Sequence, residues 1–327
     1  MTTKYDVCGI GSPLLDFIVE VDEGVLAEID MQKGHMHLID EAQSRNILEM
    51  IQGYRVKTAP GGSSANTLAG VCALGGSAVF LGKIGDDYHG TVYEQSTISD
   101  GVCTKLAKHE SAKTGHAITF ITPDSERTFA THLGAALHFR KDDVFDDDIR
   151  ESRILHIEGY QLEDPALKET CVHAMEVARG SGGKVSIDLA DPALIGRNLE
   201  PIRDLVREYA DIIFVNELEA RAFTGLDDEE LALSRIYDLC EVAVVKLGVR
   251  GSLIKAEGRI IRVPIYPVAV VNTNGAGDAY AAGILFSIAR GIDFERAGRI
   301  AAFVASRVVG SVGARPEGNL AEEIENI

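Results

Sequence analysis

The sequence predicts an α/β fold, a three-layer α/β/α core around a mostly parallel central sheet, with a small discontinuous β-sheet standing beside it as a lid. Two patterns predict this. From about Ser152 onward, short apolar runs alternate with helical stretches, as in a parallel sheet covered by helices on both faces. Three other segments, Phe17 to Asp22, His35 to Ile39 and Gly115 to Thr131, alternate apolar and polar residues or read as a hairpin, which suits a sheet with one wet face. The length, 327 residues, allows one large α/β domain, and an apolar fraction of 46% is that of a packed globular chain.

In order, Tyr5 to Ile10 opens as a buried strand, and the alternating segments at 17–22 and 35–39 follow. Pro60-Gly61-Gly62 leads into a helix that ends at Gly75-Gly76. Residues 115–131 read as a hairpin with Pro123-Asp124-Ser125-Glu126 as its turn. Ile154 to Ile157 is a strand, followed by a helix capped at Asp164, with Pro165 at its first position, running to Gly180. Further strands fall at 185–188, 211–215 and 241–245, and a β-branched extended run near Val271 gives way to an apolar helix from Ala279 to Ala289. The whole of 1–327 is expected to be a single domain, with the lid drawn from about 14–40 and 103–133. In a sheet of this type the ligand crevice lies outside the carboxyl ends of the strands, where Asn216, Gly248 and Gly275 converge.

Charge narrows the function. Lys and Arg number 32 against 50 Asp and Glu, a formal charge of −18, and no basic stripe for nucleic acid is present. An anionic ligand therefore has to be held by backbone N–H groups, a cation and a few basic side chains, against the overall field. The acidic runs at 142–143 and 146–148 read as solvated helix starts. Five dispersed cysteines, with no C-x-x-C pair, suggest neither a zinc site nor a disulfide framework. With no apolar run long enough to span a bilayer and no secretory leader pattern, a cytoplasmic, non-membrane protein is expected.

Val271-Asn272-Thr273-Asn274-Gly275-Ala276-Gly277-Asp278-Ala279-Tyr280 is the most informative passage. Glycines at a helix start let the backbone approach a ligand and aim free N–H groups at an anion, while a carboxylate in the first turn is favoured by the macrodipole. An anion cradle beside a proton-accepting acid suggests chemistry on a phosphate. From spacing alone, Asp278 is equally a plain first-turn acid.

Three further passages accompany it: Gly9-Ile10-Gly11-Ser12-Pro13-Leu14-Leu15-Asp16, Pro60-Gly61-Gly62-Ser63-Ser64-Ala65-Asn66-Thr67-Leu68, and the pair Asn216-Glu217-Leu218-Glu219 with Val245-Lys246-Leu247-Gly248-Val249-Arg250-Gly251. Together these resemble the ribokinase, or phosphofructokinase-B, family of ATP-dependent kinases, from Tyr5 to about Pro316, and adenosine kinases most closely in motif. The resemblance implies a base at Asp278, which takes the proton of the acceptor hydroxyl, and an anion hole at Gly275, Ala276 and Gly277. Phosphoryl transfer needs positioning and charge stabilisation above all, which agrees. It further implies that Asp16, Gly62 and Asn66 hold sugar hydroxyls, with Met36 and Leu133 on the acceptor side. Asn216 and Glu219 organise Mg²⁺ through water, and Lys246, Gly248, Gly251 and Asn274 face the nucleotide. A carboxylate beside an amide suits a vicinal diol.

Two positions depart from the family pattern. Asn272 stands where Asp usually helps bind a monovalent cation, so weaker K⁺ activation is expected, and Ser12 stands where Asn is common. Gln161 follows Tyr160 where adenosine kinases tend to present an aromatic residue to the base, so that stacking partner is expected to be missing.

Competing motifs fail. The third glycine of a dinucleotide fingerprint would fall at Leu14, or at Tyr280 in the later passage, and no Walker sequence, H-E-x-x-H or G-x-S-x-G occurs. His35 and His37 share a strand face but have no third ligand nearby. The expectation is an ATP- and Mg-dependent kinase acting on the primary hydroxyl of a ribose-bearing molecule, a nucleoside before a free sugar. Homodimerisation through the lid is a further expectation, and a non-catalytic nucleoside-binding protein on the same fold is the rival from another class.

Overall fold

The computed structural model describes residues 3–124 and 126–327. Its strands are β1 (Tyr5–Ile10), β2 (Leu14–Glu20), β3 (Met36–Leu38), β4 (Val56–Pro60), β5 (Ala78–Gly85), β6 (Cys103–His109), β7 (Gly115–Ile121), β8 (Arg127–His132), β9 (Ser152–Glu158), β10 (Lys184–Asp188), β11 (Ile212–Asn216), β12 (Val242–Lys246), β13 (Ser252–Ala256) and β14 (Arg259–Val263). Nine of them form one sheet in the order β14-β13-β12-β11-β10-β9-β1-β5-β6. Seven run parallel; β13 and β14 close one edge as antiparallel strands.

Alternation along each strand builds two apolar layers. Val7, Phe80, Ile154, Phe214 and Val244 pack on one face, with Leu68 and Ile284 from the covering helices. Cys8, Val79, Leu155, Ile213 and Val245 pack on the other, with Leu167, Cys171 and Met175. Every residue of β1 is buried, as covering both faces of a parallel sheet requires. The helix Pro165–Gly180 begins as its sequence signals: Asp164 accepts hydrogen bonds from the N–H groups of Ala166 and Leu167, and Pro165 stands at the first position.

The second sheet has five strands in the order β3-β8-β7-β2-β4. β2 alternates buried and half-buried residues before an exposed Glu20, the one-wet-face pattern read from its sequence. Two boundaries differ from expectation. Cys103–His109 pairs in parallel with β5 in the large sheet, because the segment continues the β–helix–β rhythm after the helix Tyr88–Ser99. The small sheet gains Val56–Pro60, antiparallel to β2; its mixed residues carry no strict alternation. The turn expected at 123–126 includes Ser125, which lies outside the described residues. The extended run before Asn272 is not a strand; Val270 and Val271 are exposed, and Val270 lines the cleft. Among the described residues no helix is long and apolar enough to cross a membrane.

Candidate active site

The carboxyl ends of the parallel strands open into a cleft of about 1020 Å³, with one wall supplied by the small sheet. Asp16, Met36, Gly62, Asn66 and Leu133 line one part of it. Asn216, Glu219, Lys246, Gly248, Gly251 and Asn274 line another, and Gly275, Ala276, Gly277 and Asp278 lie on the same wall. Spread over residues 16–278, these groups reach one cavity because the carboxyl end of the large sheet meets the wall supplied by the small sheet there.

Gly275 caps the helix Ala276–Ala289 with a left-handed φ of 78°. A Cβ there would come within 2.2 Å of the Ala314 carbonyl oxygen, so both conformation and space require glycine. Gly275, Ala276 and Gly277 line the cleft at the helix start, and a first helical turn carries N–H groups without intrahelical partners, which suits an anion. Asp278, half-buried in the first turn, accepts from Ser63 Oγ at 2.7 Å and from Asn66 Nδ2 at 2.9 Å. Burial pushes its carboxyl above the ordinary range, with these two hydrogen bonds opposing.

The loop at Gly61 and Gly62 is fixed from beneath. Gly62 has φ 89°, and a Cβ would meet the Ser12 carbonyl at 2.3 Å. Buried Glu158, at the end of β9, accepts from the N–H of Ser12 at 2.8 Å and of Ser64 at 2.9 Å, tying both glycine loops together. Gln161 donates to Ser12 Oγ at 2.8 Å and to Glu158 at 3.0 Å. Asp16 is pushed up to about 7, chiefly by burial, with the Arg315 and Arg127 charges opposing and Asp278 adding to the rise.

Asn216 and Glu219 form a reciprocal cap at the start of the helix Glu217–Thr224. Asn216 Oδ1 accepts from the Glu219 N–H at 2.9 Å, and the Asn216 N–H donates to Glu219 Oε2 at 2.7 Å. Burial pushes Glu219 up to about 7 against the pull of Lys246. Lys246, near whose Nζ a Cβ on Gly277 would lie at 3.2 Å, donates to Asp188 at 2.6 Å. Burial alone would lower its pKa; Asp188 and Glu219 outweigh that and hold it above the usual lysine range. It is no strand-end side chain reaching for solvent.

One sequence expectation changes. Gln161 is buried among Ser12 and Glu158 and does not face the cleft; Tyr160 lines it instead, together with Phe129 of β8. The aromatic wall expected to be missing is therefore present, one residue earlier than the motif position. Asn272 is tied into its own loop: Oδ1 accepts from the Asn274 N–H at 2.8 Å and Nδ2 donates to the Val312 carbonyl at 2.7 Å. Ser63, Glu158, Asp188 and Arg315 escaped the sequence reading. Ser63 sits inside the quoted glycine passage and Glu158 and Asp188 end strands, so position alone could have flagged these three; nothing in the sequence flags Arg315.

A sequence model described as pfkB family carbohydrate kinase matches residues 35–319. The chain is 31% identical over 239 residues to the aminoimidazole riboside kinase of Salmonella typhimurium, covering 71% of this chain and 74% of that one. It is 29% identical over 278 residues to the 5-dehydro-2-deoxygluconokinase of Bacillus subtilis, covering 82% and 86%. The crystal structure of adenosine kinase from Sinorhizobium meliloti superposes with a TM-score of 0.92 at 32% identity, covering 99% of each chain.

Proposed function

We propose, for a chain that belongs to the pfkB family of carbohydrate kinases and is thereby a phosphotransferase acting on sugar or nucleoside hydroxyl groups, that the acceptor is a purine nucleoside of the adenosine type, phosphorylated at its primary hydroxyl. The observation that carries this reading is the acceptor end of the cleft. Asp16, Gly62 and Asn66 supply a polar floor for a vicinal diol, while Phe129, Tyr160, Met36, Leu38 and Leu133 form an apolar, partly aromatic wall above it. A free sugar would leave that wall wetted; a base covers it.

In the reaction, Asp278 takes the hydroxyl proton as the oxygen attacks the γ-phosphorus of ATP, and ADP leaves. The helix start at Gly275–Gly277 and the Lys246 ammonium face the charge that grows on the transferring group. Magnesium, when bound, neutralises phosphate charge; Asn216 and buried Glu219 would hold it through water. That donor set is sparse and oxygen-only, and suits an ion that keeps most of its hydration shell. The amide of Asn272 already satisfies its loop, which favours catalysis without a monovalent cation. Strands β2, β7 and β8 act as the lid.

The test is ADP release from ATP over a panel of nucleosides, ribose, fructose phosphates and ketodeoxygluconate. Adenosine or a related purine nucleoside should give the highest kcat/KM. A sugar that outcompetes every nucleoside refutes the nucleoside assignment, and ATP consumption without any acceptor dependence refutes the kinase mechanism.

A further inference from the structure

Behind the acceptor loop lies a buried guanidinium that the mechanism above does not use. Arg315 follows the helix Phe294–Val309, in the loop whose Ala314 carbonyl packs against Gly275. It donates from Nε to Asn66 Oδ1 at 3.0 Å, from one terminal nitrogen to Asp100 at 2.7 Å and Thr97 at 3.4 Å, and from the other to the Gly61 carbonyl at 3.1 Å. The Tyr93 hydroxyl donates to that same carbonyl at 3.1 Å, and the guanidinium lies over the Tyr93 ring. A buried guanidinium is costly unless its fork is fully used, and here it is shared among the Gly61 carbonyl, the Asn66 amide, and Thr97 and Asp100 at the end of the helix Tyr88–Ser99.

We infer that Arg315 is a positioning residue which fixes the orientation of the Asn66 amide and, through it, the catalytic carboxylate Asp278. Guanidinium has donors only, so the amide face that meets it has to be the oxygen. The NH₂ face is then turned to Asp278 Oδ2, where it donates at 2.9 Å. Reversed, the amide would set donor against donor at Arg315 and oxygen against carboxylate at Asp278. The same fork holds Gly61 beside Gly62, so one side chain aligns the acceptor loop with the base, and its loop touches the anion-hole glycine.

This inference rests on Asp278 being the base, and two independent readouts separate the two claims. In protein labelled with ¹⁵N-asparagine, the Asn66 side-chain amide signal is assigned by its loss in Asn66→Ala. In Arg315→Met that signal should shift and lose its protection from solvent exchange; an unchanged signal overturns the inference whatever the activity. Turnover is measured with adenosine, or with the sugar of the panel above that proves to be the acceptor. Arg315→Met should lower kcat about 10²-fold, the size of effect that misplacing reacting groups produces, with the KM for ATP within about threefold. The double variant with Asn66→Ala should be no slower than Asn66→Ala alone, since residues acting in series are not additive; multiplied losses would assign Arg315 a separate structural role. Arg315→Lys keeps the charge but not the fork, and should stay nearly as slow; full rescue by lysine overturns the orientation argument. If Arg315→Met does not accumulate as folded protein, Arg315→Lys carries both readouts. An amide signal that moves while Asp278→Asn retains turnover would leave Arg315 in place and remove the base.

Discussion

Asp278→Asn is the sharpest perturbation of the site because its structural consequences can be worked out. The carboxylate accepts from Ser63 Oγ at 2.7 Å and from Asn66 Nδ2 at 2.9 Å. An asparagine would turn its oxygen to Asn66 and its NH₂ to Ser63, whose hydroxyl can rotate and accept. Both contacts survive, so the loop geometry should as well. Stability should not fall either: burial raises the folded-state pKa of Asp278, so the ionised group opposes folding at neutral pH and its neutral replacement does not. What is lost is the proton acceptor. Loss of general-base catalysis costs about 10²–10⁴-fold, or about 3–5 kcal/mol of barrier. The loss should appear in kcat, with the KM for ATP within about threefold. Steady-state ADP release with the acceptor saturating measures it, with thermal unfolding as the control for folding. Turnover above about a tenth of wild type would refute the assignment of the base.

Asp16, raised to about 7, should bind a diol only when ionised, so acceptor KM falls as pH rises toward 7 and levels above it; Asp16→Asn should flatten that profile. The stability linkage has the opposite sense: the folded state holds the extra proton between the ordinary carboxylate pKa and about 7, so this group's contribution declines as pH rises through that window, which calorimetry across the same range checks. Asn272→Asp would set a carboxylate oxygen against the Val312 carbonyl now 2.7 Å from Nδ2. Turnover of that variant should become K⁺-dependent while wild type differs little between K⁺ and choline salts; strong K⁺ dependence in wild type with no gain in the variant refutes the argument. 2′-Deoxyadenosine should be a much poorer acceptor than adenosine in kcat/KM, because a site built for a hydroxyl is left under-satisfied; equal rates would exclude Asp16 as the diol partner. Hydrogen exchange in residues 14–22 and 115–131 should slow on adding acceptor, and no slowing with a confirmed substrate would count against closure of the small sheet.

The parts of this molecule that were legible in its sequence are those set by local periodicity. The buried strands at 154–157, 185–188 and 242–245 and the helix from Pro165 fall where apolar runs and caps place them. Residues 103–109 were assigned to the wrong sheet and the strand at 56–60 went unread, because membership of one sheet or the other depends on partners far away in the chain. Site residues show the same division. Glycine turns and an acid in a first helical turn leave a local trace, so the positions of Gly62, Gly275 and Asp278 at helix starts on the cleft were readable. Arg315 has none: its role arises only because folding sets it against Asn66 and Gly61, 249 and 254 residues away. Gln161 marks the limit of motif transfer, since a shift of one position along the short helix at 159–162 turns the side chain from the cleft to the core.

The charge arrangement suits the proposed role of Asp278 as a base in a cleft that, on the same proposal, needs a cation for phosphate. A lysine paired directly with Asp278 would favour its ionised form strongly and depress its proton affinity. Here the ammonium beside Gly277 is paired with Asp188 at 2.6 Å, and the charge of Lys246 is only a minor influence on Asp278, behind burial and the bonds from Ser63 and Asn66. The direct partners of Asp278 are a hydroxyl and an amide, both neutral, which orient it without supplying a counter-charge. Asp188 and Glu219 hold Lys246 protonated, so a fixed positive charge stands at the anion-hole end while the base a few residues away keeps its affinity for a proton. Exchanging the two roles, by removing Asp188 with Asp188→Asn, should therefore slow transfer in two ways: Lys246 is freed to pair with Asp278, and its own charge is held less firmly in a buried site. The expected signature is a fall in kcat accompanied by a downward shift of the acidic limb of its pH profile, and a variant with an unmoved acidic limb would show that Asp188 does not separate these charges.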